Sequence, residues 1–113
     1  MQTTGRGVPS IAAANVPGEA VVLDVREPHE WEAGHVPGAL HIPLRELPAR
    51  AGEVPQDGAV AVVCHVGGRS AQAVAWLQAH GWSSTRNVTG GMEAWAAAGR
   101  AMVSEGGREP RVI

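Results

Sequence analysis

Neither phenylalanine nor tyrosine occurs in the 113-residue chain, so its bulky apolar volume has to come from four tryptophans and from leucine, methionine, valine and alanine. A core built this way is mainly aliphatic. Cysteine is almost as scarce. The lone Cys64 cannot close an internal disulfide and lacks the Cys and His spacing of a zinc site, which leaves an inert core residue or a reactive thiol. Excess charge is missing too: the formal net charge is −2 and the basic residues are scattered, which removes the electrostatic footprint of a nucleic-acid or anionic-membrane binder. No apolar run reaches membrane-spanning length, and the N-terminal stretch MQTTGRGVPSIAAANVPGE has no block long enough for a secretory signal, so a cytoplasmic location is expected. What is present, 44% hydrophobic and 18% charged residues, is ordinary for a folded domain, and the length suits one core for the chain 1–113.

Local patterns predict alternating strands and helices. VVLDV, 21–25, is a β-branched run ending at charged residues, as a buried parallel strand does. PHEWEAG, 28–34, opens with Pro at a first helical position and closes with Gly, which fits a short helix. ALHIPL reads as a short strand closed by Pro43, and RELPARAGEVPQDG as a loop with room for one helical turn. AVAVV, 59–63, is the clearest strand; the turn CHVGGRS and the helix AQAVAWLQAHG follow, then a strand TRNVT and a helix GGMEAWAAAG. This alternation argues for an α/β fold with a parallel sheet covered on both faces. The core is expected over about 8–103, with Val8 to Ile11 either adding an edge strand or not, and SEGGREPRVI, 104–113, is expected to be a flexible tail.

Ligands of open parallel sheets bind beyond the carboxyl ends of the strands, and Cys64 directly follows the last residue of the strongest strand. The glycines of HVGG tolerate torsions that let backbone amides converge on an anion, and the next helix points its positive dipole end at the same place. A thiolate there has its pKa lowered from the free value of about 8.5, with Arg69 adding charge. The competing reading keeps Cys64 as a small buried apolar residue.

The run CHVGGRS resembles the active-site loop of rhodanese domains, in which a cysteine is followed by glycine three positions on and often by arginine five on. DVREPHEWEAGHVPGALHIPL resembles the N-terminal signature of that family and NVTGGMEAW its C-terminal one, so the resemblance runs from about Val21 to Gly99. It implies a rhodanese-like three-layer α/β/α fold with a central parallel sheet of four to five strands. It also implies a sulfurtransferase in which catalytic Cys64 takes sulfane sulfur from thiosulfate or a persulfide donor and passes it, as a Cys64 persulfide, to a thiol or cyanide acceptor or to a protein acceptor. His65, Val66, Gly67, Gly68, Arg69 and Ser70 would form the anion-stabilising, substrate-binding loop, with no metal and no cofactor.

Asp24 and Arg26 match the family's Asp-x-Arg pair, as secondary site candidates; Arg26 either approaches the loop or makes a structural ion pair. His35, in the turn GHVPGA, is expected as a hydrogen-bonded structural imidazole, Trp31 and Trp95 as core, and His29, His41 and His80 as surface or satisfied positions. His65 stands where thiosulfate-using relatives often carry Arg or Lys, and supplies less fixed charge for a dianionic donor. Two other readings stay open. A cysteine-dependent phosphatase or arsenate reductase would use a similar nest, although only four residues separate Cys64 from Arg69 where tyrosine phosphatases have five. A non-catalytic or sulfur-carrier module would dock to a protein partner on the same fold.

Overall fold

The structure is a computed structural model and describes residues 7–113. Its sheet has five strands, Ser10–Ala12 (β1), Val21–Asp24 (β2), Leu40–His41 (β3), Val60–Val63 (β4) and Thr85–Thr89 (β5), in the order β1-β5-β4-β2-β3. Every pairing is parallel, with Leu23 opposite both Val62 and Leu40 and Ile11 opposite Val88. Parallel neighbours need crossovers, and the helices Pro28–Ala33 (α1), Leu47–Arg50 (α2) and Gly68–Ala79 (α3) lie in the connections, while Gly91–Ala97 (α4) follows the last strand.

Because side chains alternate along a strand, the valine-rich runs feed two cores at once. On one face Leu23, Val25, Val60, Val62 and Cys64 pack with Leu47 of α2 and with Ala73, Val74 and Leu77 of α3. On the other, Val22, Ala61, Val63 and Val88 pack with Val36 and with Met92 and Trp95 of α4. The result is the three-layer α/β/α arrangement, with the carboxyl ends of β2 and β4 side by side. No helix among the described residues is long and apolar enough to cross a membrane.

One local question is decided and two expectations change. The N-terminal segment does add an edge strand, at Ser10–Ala12, pairing with β5. ALHIPL keeps only two residues of regular strand, although its backbone goes on pairing past them through Ile42 N–H to Asp24 O and Leu44 N–H to Val25 O; Pro43 between them has no N–H to give. The expected tail is docked: Arg111 N–H donates to Ala33 O at 2.9 Å, Val112 packs against the α4-side core, and the Arg111 backbone runs so close to Gly34 that a Cβ there would meet its carbonyl oxygen at 2.5 Å.

Of the residues expected in the core, Trp95 is buried, whereas Trp31 is only half-buried and stacks between the rings of His35 and His41, at 3.6 and 4.7 Å between centroids. His35 Nδ1 pairs with Trp31 O at 2.7 Å, and His41 Nε2 with Arg26 O at 2.8 Å. Both imidazoles are structural.

Candidate active site

Cys64 leaves β4 at the carboxyl edge of the sheet and is buried beneath the first turn of α3. The chain can turn from strand into helix there because Gly67, the residue before α3, sits at φ 119°, a conformation that side-chain-bearing residues rarely adopt. That turn aims the Gly67 N–H at the sulfur, 3.1 Å from Sγ, and brings the Ser70 hydroxyl to 3.3 Å. Burial pushes the Cys64 thiol up, but the Ser70 hydroxyl and the backbone N–H groups of Ser70, Gly67 and Arg69 favour the anion and bring it below its ordinary value. The aligned dipole of the 12-residue α3 acts in the same sense.

The loop is clamped from the far side by the β5–α4 junction. Met92 N–H donates to Cys64 O at 2.8 Å and Glu93 N–H to His65 O at 3.2 Å. The clamp needs glycine at position 91, where φ is +58° and a Cβ would lie 2.4 Å from Cys64 O. This is the physical content of the NVTGGMEAW run. It also supplies a residue that sequence reasoning missed: Asn87, buried on β5, accepts the Ser70 hydroxyl on Oδ1 at 2.6 Å and donates from Nδ2 to Gly67 O at 3.3 Å. Its position inside the family-like run was the available signal.

The charged candidates are arranged differently from expectation. Arg69 was expected to face the reacting anion; instead its Nη1 and Nη2 bind the two carboxylate oxygens of Glu30, at 2.7 and 2.8 Å. Glu30 Oε1 also accepts the Glu27 N–H at the start of α1. The Arg69 hydrogen bonds outweigh burial and hold the Glu30 carboxyl at about 2. The hydrogen bonds of the Arg26 side chain go elsewhere than the loop as well. Buried with Asp24, it makes the structural alternative, donating from Nε and Nη2 to that carboxylate and from Nη2 to Gly34 O at 2.6 Å. His65 Nε2 meets Glu93 Oε2 at 2.9 Å, so this side chain too has a carboxylate beside it. Val66 is 56% exposed beside the loop. Gly68 is exposed and opens α3. The groups brought to Sγ are therefore the Ser70 hydroxyl and the amides of Gly67, Arg69 and Ser70, a site able to hold a negative sulfur without a free side-chain cation.

The chain is similar to known proteins in sequence and in fold. A sulfurtransferase from Allochromatium vinosum is 37% identical over 89 residues, covering 79% of this chain and 83% of its own. A candidate sulfur carrier protein from Bacillus subtilis is 40% identical over 74 residues; the match covers 66% of this chain but only 40% of that protein. Among solved structures, a rhodanese-related protein from Thermoplasma volcanium superposes with a TM-score of 0.80 at 36% identity, covering 86% of this chain and 99% of the other. The Rhodanese-like domain family itself matches residues 9–98, the span from the edge strand through α4, and the chain belongs to that family.

Proposed function

We propose that this chain is a sulfurtransferase that carries sulfane sulfur on Cys64. The Cys64 thiolate attacks the outer sulfur of thiosulfate or of a persulfide; the new Sγ–S bond forms as the donor S–S bond breaks, and sulfite or a thiolate leaves with the electron pair. Cyanide or an acceptor thiolate then attacks the outer sulfur of the Cys64 persulfide. Thiocyanate or a new persulfide departs, and the Cys64 thiolate returns. Splitting one transfer into two displacements lowers each barrier, and neither step calls for a metal or an organic cofactor.

The observation that carries the reading is the set of donors on one sulfur: the Gly67 amide at 3.1 Å, the Ser70 hydroxyl at 3.3 Å and the amides that open α3. They stabilise the Cys64 thiolate, both as it attacks the donor and as it returns when the acceptor takes the outer sulfur. The paired state of Arg69 speaks against the phosphatase alternative, because a phosphoryl group needs a guanidinium for its equatorial oxygens and both Nη atoms here serve Glu30. The exposed Val66 of the loop suits an organic or protein-borne donor or acceptor, so a sulfur-carrier role docked to a protein partner is compatible with the same chemistry. A thiol that must stay reduced also fits a cytoplasmic setting.

The test is thiosulfate:cyanide sulfur transfer by the purified protein beside Cys64→Ser. The variant is expected to fold and melt like the parent and to be inactive, since a hydroxyl neither ionises nor holds sulfane sulfur. Thiocyanate production that survives the substitution contradicts the assignment.

A further inference from the structure

Ser70 has one hydroxyl proton and two acceptors. Its Oγ lies 2.6 Å from Asn87 Oδ1 and 3.3 Å from Cys64 Sγ, and it is fully buried. The first distance is that of a well-formed O–H···O bond. The amide orientation is set by Gly67 O, which receives the Asn87 Nδ2 at 3.3 Å; the reverse orientation would press Oδ1 against that carbonyl oxygen. While Cys64 is a thiol, the three groups can form a directed chain, S–H to Ser70 Oγ and Ser70 O–H to Asn87 Oδ1. Once the sulfur is a thiolate it has no proton to give and becomes the stronger acceptor, so the hydroxyl turns to it. Asn87 Oδ1, in a residue only 8% exposed, then loses its donor.

We propose that Asn87 governs the ionisation of Cys64 through Ser70, as a positioning residue that competes with the sulfur for a single hydroxyl proton. The proposal rests on the sulfur-transfer reading for its purpose and not for its mechanism. The thiolate that attacks a donor is the form in which Asn87 is left unsatisfied, so Asn87 tempers the lowering that Ser70 and the loop amides bring about and leaves the free thiolate reactive. When Cys64 carries sulfur, Sγ is the uncharged bridging atom and the hydroxyl returns to Asn87. The charged and titratable groups around the loop are the same with or without this exchange: Arg69 with Glu30 from α3 and α1, His65 with Glu93 from the loop and α4, and Asp24 with Arg26 at the end of β2.

The test is the pH midpoint of Cys64 alkylation by iodoacetamide, a readout that needs no sulfur donor and so stands or falls apart from the transfer activity. In Asn87→Leu the hydroxyl has the sulfur as its sole partner, and the midpoint is expected to fall by roughly half to one pH unit, the shift equivalent to about one neutral hydrogen bond. In Asn87→Asp a carboxylate holds the hydroxyl more tightly and adds negative charge, so the midpoint rises. In Ser70→Ala the midpoint also rises, and adding Asn87→Leu to that variant changes it no further. Opposite shifts for Leu and Asp, with the Leu shift erased by Ser70→Ala, support the proposal. An unchanged or raised midpoint in Asn87→Leu, or a Leu shift that persists at full size without the Ser70 hydroxyl, overturns it; the latter would mean that Asn87 acts only by holding the Gly67 carbonyl. If Asn87→Leu does not fold, a lowered or unchanged midpoint in Asn87→Asp is the overturning result.

Discussion

Removing the guanidinium of Arg69 puts a size on the cross-element pair that ties α1 to the active-site helix. In Arg69→Ala, Glu30 loses both of its charge-assisted partners, at 2.7 and 2.8 Å, and keeps only the Glu27 N–H. With the pair intact the Glu30 carboxyl is lowered from 4.5 to about 2, with the Arg69 hydrogen bonds as the first cause and burial opposing them. Taken at face value that shift is worth at most about 3 kcal/mol. Arg69 is 35% exposed, so screening reduces the contribution to roughly 1–2 kcal/mol, or on the order of 5–10 °C in Tm. The sign follows from the lowered value. Folded Glu30 stays ionised until pH approaches 2 while unfolded Glu30 takes up its proton near about 4.3, so the contribution is complete above about pH 5 and is lost as pH falls towards 2. Urea titrations of the parent and Arg69→Ala at a series of pH values should show the parent more stable at pH 7 and the gap narrowing below about pH 4. A gap equally wide at pH 3 and pH 7, or no gap at all, refutes the reasoning.

Gly91→Ala is expected to cost about 3 kcal/mol or more, or to prevent folding, because the methyl group would sit 2.4 Å from Cys64 O and 2.6 Å from His65 O at a φ of +58°; soluble yield and a denaturation curve check it, and a near-neutral result means that the clamp on the loop gives way. Asp24→Asn leaves the fully buried Arg26 without its carboxylate and should destabilise by about 3–5 kcal/mol, read from the same titrations.

How much of this was readable beforehand depends on distance along the chain. VVLDV and AVAVV announced themselves as strands because burial on both faces demands a continuous β-branched run, and CHVGGRS announced the site because a strand-to-helix turn over a sulfur demands glycine at position 67. The Glu30 partner of Arg69 is not legible in the sequence because it lies 39 residues away, on a helix that no local pattern places against α3. Asn87 was overlooked for a similar reason: its contacts to Ser70 and Gly67 exist only once β5 lies beside β4. The segment 104–113 looks unstructured by composition, yet Gly34 leaves a channel for its backbone, and a channel is a property of the folded surface.

The central claim is that Cys64 carries the sulfur, and because it is the sole cysteine, intact mass spectrometry can address it without ambiguity. The protein is incubated with thiosulfate and, separately, with a low-molecular-weight persulfide, then weighed before and after addition of cyanide. The account predicts a gain of one sulfur atom from at least one of these donors, removed by cyanide with release of thiocyanate and absent in Cys64→Ser. No adduct from either donor, or an adduct that Cys64→Ser retains, contradicts it.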